Sequence, residues 1–239
     1  MEKLYYDLHI HSALSPCADD DMSPNDIIGM ALLNRLDIIA VTDHNSFANT
    51  EAVVNVASKH AGNLIVLPGA EITTAEEVHV ICLFSNLTDA MNFDAELSDY
   101  YPAMANRIDI FGKQVIYNES DQVIGELERM LFASTTISFD ELYELVNKYD
   151  GAFIPAHVDR DSFSVMSNLG FIPPHLNIRT IEISPHGIEN EYDKQNAKQF
   201  EQHQIISSSD AHQLWEINEK RNFMMLPSRT PEAAIKYLR

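Results

Sequence analysis

The stretch LDIIAVTDHN, residues 36–45, combines the two features that decide the fold: a short apolar run and a cluster of polar side chains directly after it. The apolar run has the length of a strand and is rich in residues that strands favour. Further runs of this kind alternate with helical patterns and lie at residues 4–8, 64–67, 78–84, 152–155, 180–183, 205–206 and 222–226. This alternation predicts an α/β fold built on a mostly parallel sheet or barrel.

Two helix starts can be read directly from the sequence. Ser23 is followed by Pro24 and Asp26, which suit the N-cap, the first helical position and the positive end of the helix dipole. Ser138 is followed three residues later by Glu141, the spacing of a capping box. Both patterns predict helices that begin at these residues.

The chain length predicts one domain. Of its 239 residues, 45% are hydrophobic, which suffices for one substantial core. We therefore expect a single domain over residues 1–239. From about residue 86 to residue 134 the alternation stops, and a polar helix-like segment precedes a hairpin pattern around the turn 118–121. We expect an inserted helix plus hairpin here, serving as a lid, a specificity element, an oligomer contact or a purely structural excursion.

The charge balance is strongly acidic. Lys and Arg number 16 and Asp and Glu number 36, so the net charge is −20. Such a field repels nucleic acid and anionic lipid, so we expect a small substrate and neither a nucleic-acid polymer nor a membrane as partner. Cys17 and Cys82 stand in unrelated contexts, and we find no secretory signal, lipidation signal or apolar stretch of about 20 residues. These observations predict a cytoplasmic protein and leave its oligomeric state open.

Imidazole and carboxylate side chains stand where the predicted strands end, which in α/β barrels is the rim that carries the active site. The first strand brings His9 and His11 to the same face of the extended chain, and the second is followed by His44. Glu71 follows the third strand, and a carboxylate is suited to bridging two metal ions. His79 lies within the next strand-like run.

The later strands repeat this pattern. His157 follows the run 152–155, and Asp210 and His212 follow the run 205–206. Taken alone, each residue also fits a polar strand end, a turn or a core histidine. Their shared placement predicts a metal centre, whose candidate ligands are His9, His11, His44, Glu71, His79, His157, Asp210 and His212.

Five motifs resemble those of the PHP (polymerase and histidinol phosphatase) superfamily. They are DLHIHS, TDHN, GAE, AHVDR and SSDAH, beginning at residues 7, 42, 69, 156 and 208. The resemblance implies a distorted, TIM-like (β/α)7 barrel with two or three divalent metal ions that hydrolyses phosphoesters. The ligands it implies are His9, His11, Glu71 and Asp210 for one ion, Glu71, His79 and His157 for a second, and His44 and His212 for a third.

The third ion needs one more ligand. In the family it also takes an aspartate or a histidine from the loop after the first motif, and here that loop reads SPCADDD, residues 15–21. Counting forward from the first motif places Cys17 at the histidine position, whereas counting back from the first predicted helix places Asp19 at the aspartate position. A Cys17 thiolate is compatible with zinc or iron. Cys17, Asp19, Asp20 and Asp21 remain open, and so does the native metal among zinc, manganese and iron.

The expected reaction is attack by a metal-bridging hydroxide, in a di- or trinuclear site, on a small phosphorylated substrate such as a nucleotide or a sugar phosphate. Asp210 is expected to orient the hydroxide, and His212 or His44 to protonate the leaving oxygen. Asp7 is expected to orient a ligand imidazole by accepting its proton, and Asp43 either to do the same or to close a turn.

Substrate contacts outside the metal ligands are harder to read. Arg160 suits a phosphate through its planar fork, but a surface salt bridge with Asp159 or Asp161 is the alternative. His186, which follows the run 180–183, either touches substrate or is a turn histidine. Two other functions compete with phosphoester hydrolysis, namely hydrolysis of a C–N or cyclic-ester bond at the same site and a non-catalytic, metal-binding regulatory role.

Overall fold

The computed structural model describes residues 1–60, 62 and 64–239. The first half of the chain contains β1 (Glu2–Ile10), α1 (Pro24–Leu33), β2 (Ile38–Val41), α2 (Thr50–Ser58), β3 (Ile65–Thr73), β4 (His79–Leu83), α3 (Leu87–Leu97), α4 (Ile108–Phe111), β5 (Val115–Tyr117) and β6 (Val123–Glu126). The second half contains α5 (Phe139–Lys148), β7 (Ala152–Pro155), α6 (Val165–Asn168), β8 (Thr180–Glu182), α7 (Pro185–Glu189), α8 (Tyr192–Gln195), α9 (Ala197–Phe200), β9 (Gln204–Ile206), β10 (Phe223–Leu226) and α10 (Pro231–Leu238). Each predicted apolar run overlaps a strand.

Both predicted helix starts are confirmed. The Ser23 side chain accepts a hydrogen bond from the backbone N–H of Asp26 at the start of α1. Ser138 and Glu141 form a complete capping box at the start of α5. Short-range hydrogen bonds of this kind depend only on neighbouring residues, which is why the sequence alone locates them.

Six strands form one sheet in the order β10-β1-β2-β3-β4-β7. β1, β2 and β3 run parallel, whereas β10 runs antiparallel to β1, and β4 runs antiparallel to both β3 and β7. The α/β class is confirmed, but the expectation of a mostly parallel sheet is wrong. The connection between β3 and β4, residues 74–78, is long enough for a hairpin and too short for the helical crossover that parallel neighbours need.

The antiparallel direction of β4 changes where its first residue lies. β4 begins at the rim where β1, β2, β3 and β7 end, and His79 pairs with Thr73, the last residue of β3. A histidine at the start of a strand therefore reaches the same rim as histidines that follow other strands.

β3 extends further than its apolar run indicates. Pro68 and Gly69 read as a break in the sequence, but the Pro68 carbonyl accepts a hydrogen bond from Phe84 N at 2.8 Å, so the pairing continues. Glu71 consequently lies inside β3, paired with Ile81, and not beyond its end as expected.

A separate parallel pair, β8 and β9, lies beside the six-stranded sheet. Val158 N, just after β7, donates to Glu182 O at 2.8 Å, and His11 N, just after β1, donates to Ala211 O at 2.9 Å. Among the described residues, β8 and β9, of three residues each, form no continuous ladder with β7 or β1. The described strands thus form a curled half-barrel and a parallel pair, and the full seven-stranded TIM-like barrel is not confirmed.

Both faces of the central strands are covered. All four residues of β2 are buried, with Ile38 and Ala40 in one hydrophobic cluster and Ile39 and Val41 in another. Two-sided burial explains why these strands read as continuous apolar runs instead of alternating patterns.

Residues 86–134 contain α3, α4 and the β5–β6 hairpin, with a turn at 118–121 as the sequence predicts. α3 buries Phe93 and Leu97 in the core. The hairpin reaches the loop after β1, where Val115 N donates to Ala13 O at 3.1 Å. The assignment of this segment as an insertion within a single domain stays a prediction.

Across the described part of the chain, no helix is both long enough and apolar enough to cross a membrane.

Candidate metal centre

Polar side chains surround a cavity of about 290 Å³ at the rim where β4 begins and the parallel strands end. Its wall combines imidazoles, carboxylates, a thiol, a guanidinium and two phenyl rings, contributed by Cys17, His44, Glu71, Thr73, His79, Phe132, His157, Arg160, Phe163, Asp210 and His212. His9 and His11 lie deeper and are fully buried. The eight candidate ligands, together with Cys17, thus lie in or beneath one cavity.

Glu71 is the carboxylate around which most of the imidazoles gather, and it is 1% exposed. Its Oε1 lies 2.9 Å from His79 Nδ1, 3.2 Å from His157 Nε2 and 3.3 Å from His9 Nε2. Its Oε2 lies 2.9 Å from His44 Nδ1. One carboxylate with ring nitrogens near both oxygens has the arrangement needed to bridge two cations.

Asp210 is the second carboxylate of the cluster. Its Oδ1 lies 3.1 Å from His11 Nε2 and 3.2 Å from His9 Nε2, and its Oδ2 lies 2.6 Å from Arg160 Nη2. Asp210 has φ of +55° and His157 has φ of +29°, in the left-handed region that residues other than glycine rarely adopt. Such backbone strain concentrates at functional sites because the surrounding contacts must hold it in place.

Three overlapping trios have ligand atoms within 4.8 Å of one another: His9 with His11 and Glu71, His44 with Glu71 and His79, and His11 with His44 and His212. The first trio lies within the predicted first ligand set, and the third contains the predicted pair His44 and His212. The assignment of each side chain to a particular ion stays a proposal.

Two buried atoms test whether the residues fit a metal. His9 Nε2 and Glu71 Oε2 are buried and make no hydrogen bond of acceptable geometry, although each lies close to an oppositely polarised atom. A buried polar atom without a partner is costly. A cation between these atoms would satisfy both, and imidazole with carboxylate is a donor set for zinc, manganese and iron. The chain therefore fits a divalent metal centre.

The electrostatics favour the ligand states of Glu71 and His11 but not that of His9. Burial lowers the pKa of His9, but the carboxylates of Glu182, Asp210 and Glu71 outweigh it and raise this pKa well above its usual range. Burial opposes ionisation of Glu71, but the nearby rings of His79, His9 and His44 outweigh it and hold the pKa of Glu71 well below its usual range. Burial and the neighbouring rings of His44 and His212 hold the pKa of His11 well below its usual range. Glu71 is therefore a carboxylate and His11 a neutral imidazole, the forms that ligate metals.

Glu182, which the sequence analysis missed, supports this cluster from below. Its Oε2 lies 3.0 Å from His9 Nδ1 and accepts a hydrogen bond from the backbone N–H of His157 at 3.1 Å. Carboxylates that hold the far nitrogen of a ligand histidine fix the ring and its tautomer. The sequence feature that could have indicated Glu182 is its position as a lone acidic residue inside the apolar run 180–183. A buried charge is tolerated only when it has a specific partner.

The expected contact between Asp7 and a ligand imidazole is not among its hydrogen bonds. Its two carboxylate oxygens accept from the backbone N–H groups of Ser209 and Asn218, and burial raises the pKa of Asp7 to about 6. Asp7 therefore positions the loop that carries Asp210, while Glu182 takes the role expected of Asp7.

Asp43 closes a turn, one of its two predicted roles, and within the described part of the chain it accepts no hydrogen bond directly from a candidate ligand imidazole. Its carboxylate accepts from Ser12 N at 2.8 Å and from the Ser15 hydroxyl at 2.7 Å, which closes the turn after β1. Ser15 Oγ lies 3.1 Å from His11 Nδ1, so Asp43 reaches a ligand imidazole through one hydroxyl.

The loop 15–21 approaches the third trio. Cys17 lines the cavity, and desolvation together with the charges of Glu71, Asp43 and Asp210 raises the pKa of its thiol. Asp19 donates its backbone N–H to His212 O at 2.9 Å, but its side chain is exposed. Among the described residues, the third trio consists of imidazoles alone, so Cys17 as a further ligand stays a proposal.

Arg160 is placed at the cavity and not in the alternative salt bridge. Its guanidinium contacts Asp210, whereas Asp159 accepts hydrogen bonds from the backbone and hydroxyl of Ser184. His186 is exposed within α7, where Nε2 contacts Asn190, and it does not line the cavity.

The chain is similar to several known proteins. The PHP domain family model matches residues 7–160. The 5′-3′ exoribonuclease Rnm of Salmonella typhimurium is 34% identical over 76 residues, which are 32% of this chain and 25% of Rnm. The lesion-specific endonuclease PfuEndoQ from Pyrococcus furiosus has a TM-score of 0.70 at 19% identity, over 99% of this chain and 56% of the endonuclease. A Bifidobacterium adolescentis protein described as a metal-dependent phosphoesterase has a TM-score of 0.57 at 16% identity, over 98% of this chain and 94% of its own.

These matches are partial in two respects. The chain spans about half the length of the endonuclease, and the aligned part of Rnm is a quarter of that protein. At 19% and 16% identity, the structural likeness concerns the fold alone.

The expectation that excluded a nucleic-acid polymer is wrong. The relatives contradict it, because one is named an exoribonuclease and another a lesion-specific endonuclease. A structure of endonuclease Q also contains a 27-mer duplex substrate with an abasic lesion. The reason is physical: the net charge of −20 sums the whole surface, whereas Arg160 and cations bound at the cavity would set the local field.

Proposed function

The chain belongs to the PHP domain family, as the sequence motifs indicate, and we propose that it is a metal-dependent phosphoesterase that hydrolyses a phosphate ester of a nucleotide, either free or at the end of a nucleic-acid strand. The predicted enzyme class, a metal-dependent hydrolase of phosphoric esters, agrees with that family. The cavity of about 290 Å³ lies just below the usual range for ligand pockets, about 300–1,000 Å³. It therefore suits a single nucleotide-sized group.

One observation carries the proposal. His9, His44, His79 and His157 direct ring nitrogens at the same buried carboxylate, that of Glu71, from 2.9 to 3.3 Å. A purely structural core has no use for so many polar groups around one charge, because each must be desolvated. Divalent ions at this position would lower the pKa of bound water and offset the charge on the phosphoryl oxygens.

The chain's own residues would position the substrate. Arg160 is 45% exposed at the cavity, and its planar fork suits the oxygens of a phosphate. Asp210 holds this guanidinium and the rings of His9 and His11 in one arrangement. His212 Nδ1 lies 2.8 Å from the Asp210 carbonyl oxygen, so a proton on Nδ1 has an acceptor and Nε2 is available for a cation or for the leaving group.

The test combines metal content with product analysis. We expect at least two zinc, manganese or iron ions per chain by elemental analysis, and release of inorganic phosphate or a nucleoside monophosphate from a panel of nucleotides and short oligonucleotides. Chelation should abolish turnover and added metal should restore it. Fewer than two ions per chain after metal supplementation, or turnover of amides or lactones with no phosphate ester cleaved, would sink the proposal.

A further inference from the structure

Phe163 is an aromatic residue held in a strained position at the cavity wall. Its φ is +54°, a conformation that is an outlier for a bulky side chain, and 42% of the residue is exposed. Its carbonyl oxygen accepts from His79 N at 2.9 Å, and its ring stacks on the His79 ring with centroids 4.8 Å apart and planes 29° apart. These contacts fix a ring that still exposes part of its surface.

The same short loop carries a positively charged side chain, that of Arg160. Arg160 precedes Phe163 by three residues, and the hydroxyl of Ser164 donates to the Arg160 carbonyl at 2.7 Å, which ties the two ends of this loop segment together. Both side chains line the cavity. The Arg160 guanidinium, which suits a phosphate, and the flat apolar ring of Phe163 therefore lie on one loop.

A second ring belongs to the segment 86–134. Phe132 lines the same cavity, lies edge-on to His44 with centroids 5.5 Å apart, and is backed by Phe111 with centroids 6.1 Å apart. Each phenyl ring thus covers a different ligand-type imidazole, Phe132 at His44 and Phe163 at His79.

We propose that Phe163 is a stacking platform for the nucleobase of the substrate, with Phe132 as a further apolar wall and Arg160 as the contact for the phosphate. The proposal rests on the proposed function and names the residue that would recognise the base of that nucleotide. Aromatic rings bind every base through its π-face, whatever the sequence of the nucleic acid. Such a platform explains how a chain with a net charge of −20 selects nucleotides.

Binding measurements test the platform apart from turnover. The probes are phosphonate analogues of adenosine 5′-monophosphate and of ribose 5-phosphate, in which a P–C bond prevents hydrolysis, titrated calorimetrically into the manganese-loaded full chain. We expect the wild type to bind the adenosine analogue at least about tenfold more tightly, the effect of one stacked base. Phe163→Ala should remove this preference and leave the affinity for the ribose analogue within about twofold, and Phe163→Trp should retain the preference.

The control is Phe171→Ala. Phe171 is 54% exposed and does not line the cavity, so its replacement should leave both affinities unchanged. The proposal is overturned if Phe163→Ala weakens both probes equally, which would indicate a role in holding His79, or if the wild type does not prefer the adenosine probe. Failure of the proposed function looks different: the wild type would prefer the adenosine probe, as stacking requires, yet cleave no phosphate ester.

Discussion

The candidate centre has a floor and a mouth that are built differently. The floor consists of His9, Glu71, His157 and Glu182, all at most 2% exposed and held by strands or by hydrogen bonds between strand ends. The mouth consists of Cys17, Arg160, Phe163 and His212, all on loops and partly exposed. We propose that this difference separates two tasks: the rigid buried donors would hold cations, whereas Arg160 and Phe163 would contact substrate. Cys17 and His212 lie between the two tasks, as candidate ligands of the third ion.

The largest expected effect is at the floor. Glu71→Gln removes the negative charge that the surrounding imidazoles contact. We expect loss of at least one metal equivalent and a fall in kcat/KM of more than about a hundredfold. This exceeds the effect usually seen when a residue that only supports a metal ligand is replaced. Metal analysis of purified protein and steady-state kinetics measure both quantities. Glu77→Gln, the same change at an exposed residue, should alter neither; retention of full metal content by Glu71→Gln would contradict a bridging role.

Glu182→Gln should give the next largest effect. It keeps the shape but removes the negative charge next to His9 Nδ1, and a change of this kind costs about 10- to 100-fold in metal affinity or activity. Competition with a chromogenic chelator measures the affinity, with exposed Glu189→Gln as the control. If Glu182→Gln bound metal as tightly as the wild type, Glu182 would have no role in metal binding.

At the mouth, Arg160→Lys should change substrate binding without changing metal content. Lysine keeps the charge but loses the planar fork, so we expect KM to rise about tenfold, while the number of metal ions per chain stays constant. Arg179→Lys, on an exposed residue outside the cavity, is the matched control. If Arg160→Lys lost metal, the contact between Arg160 and Asp210 would couple substrate binding at the mouth to metal binding at the floor.

The smallest effect is expected from Cys17→Ser. If Cys17 completes the third ion site, this change lowers metal content by at most one equivalent and leaves the ions at Glu71 in place. Asp19→Asn is the companion variant, because Asp19 is the alternative ligand. If Asp19→Asn lost one metal equivalent and Cys17→Ser lost none, Asp19 and not Cys17 would be the further ligand of the third ion.

The floor and the mouth each contain one residue that the sequence did not indicate, Glu182 in the floor and Phe163 in the mouth. Candidate ligands that follow strands, such as His11, His44 and His157, are predictable because the ends of parallel strands meet at one rim. His79 reaches that rim only because β4 is antiparallel, a direction set by the length of one connection. Glu182 and Phe163 escape prediction because their partners, His9 and His79, are distant in sequence and become neighbours only in the fold.

The hydrogen bond between His11 and Asp210 joins residues 199 positions apart. A cation held by these side chains would bind the folded chain and not the unfolded one, so its concentration would add to folding stability by mass action, about 2.7 kcal/mol at a hundredfold excess over the dissociation constant. The centre would then also protect the chain from proteolysis, since β1 and the loop after β9 would separate less often in metal-replete cells than in starved ones.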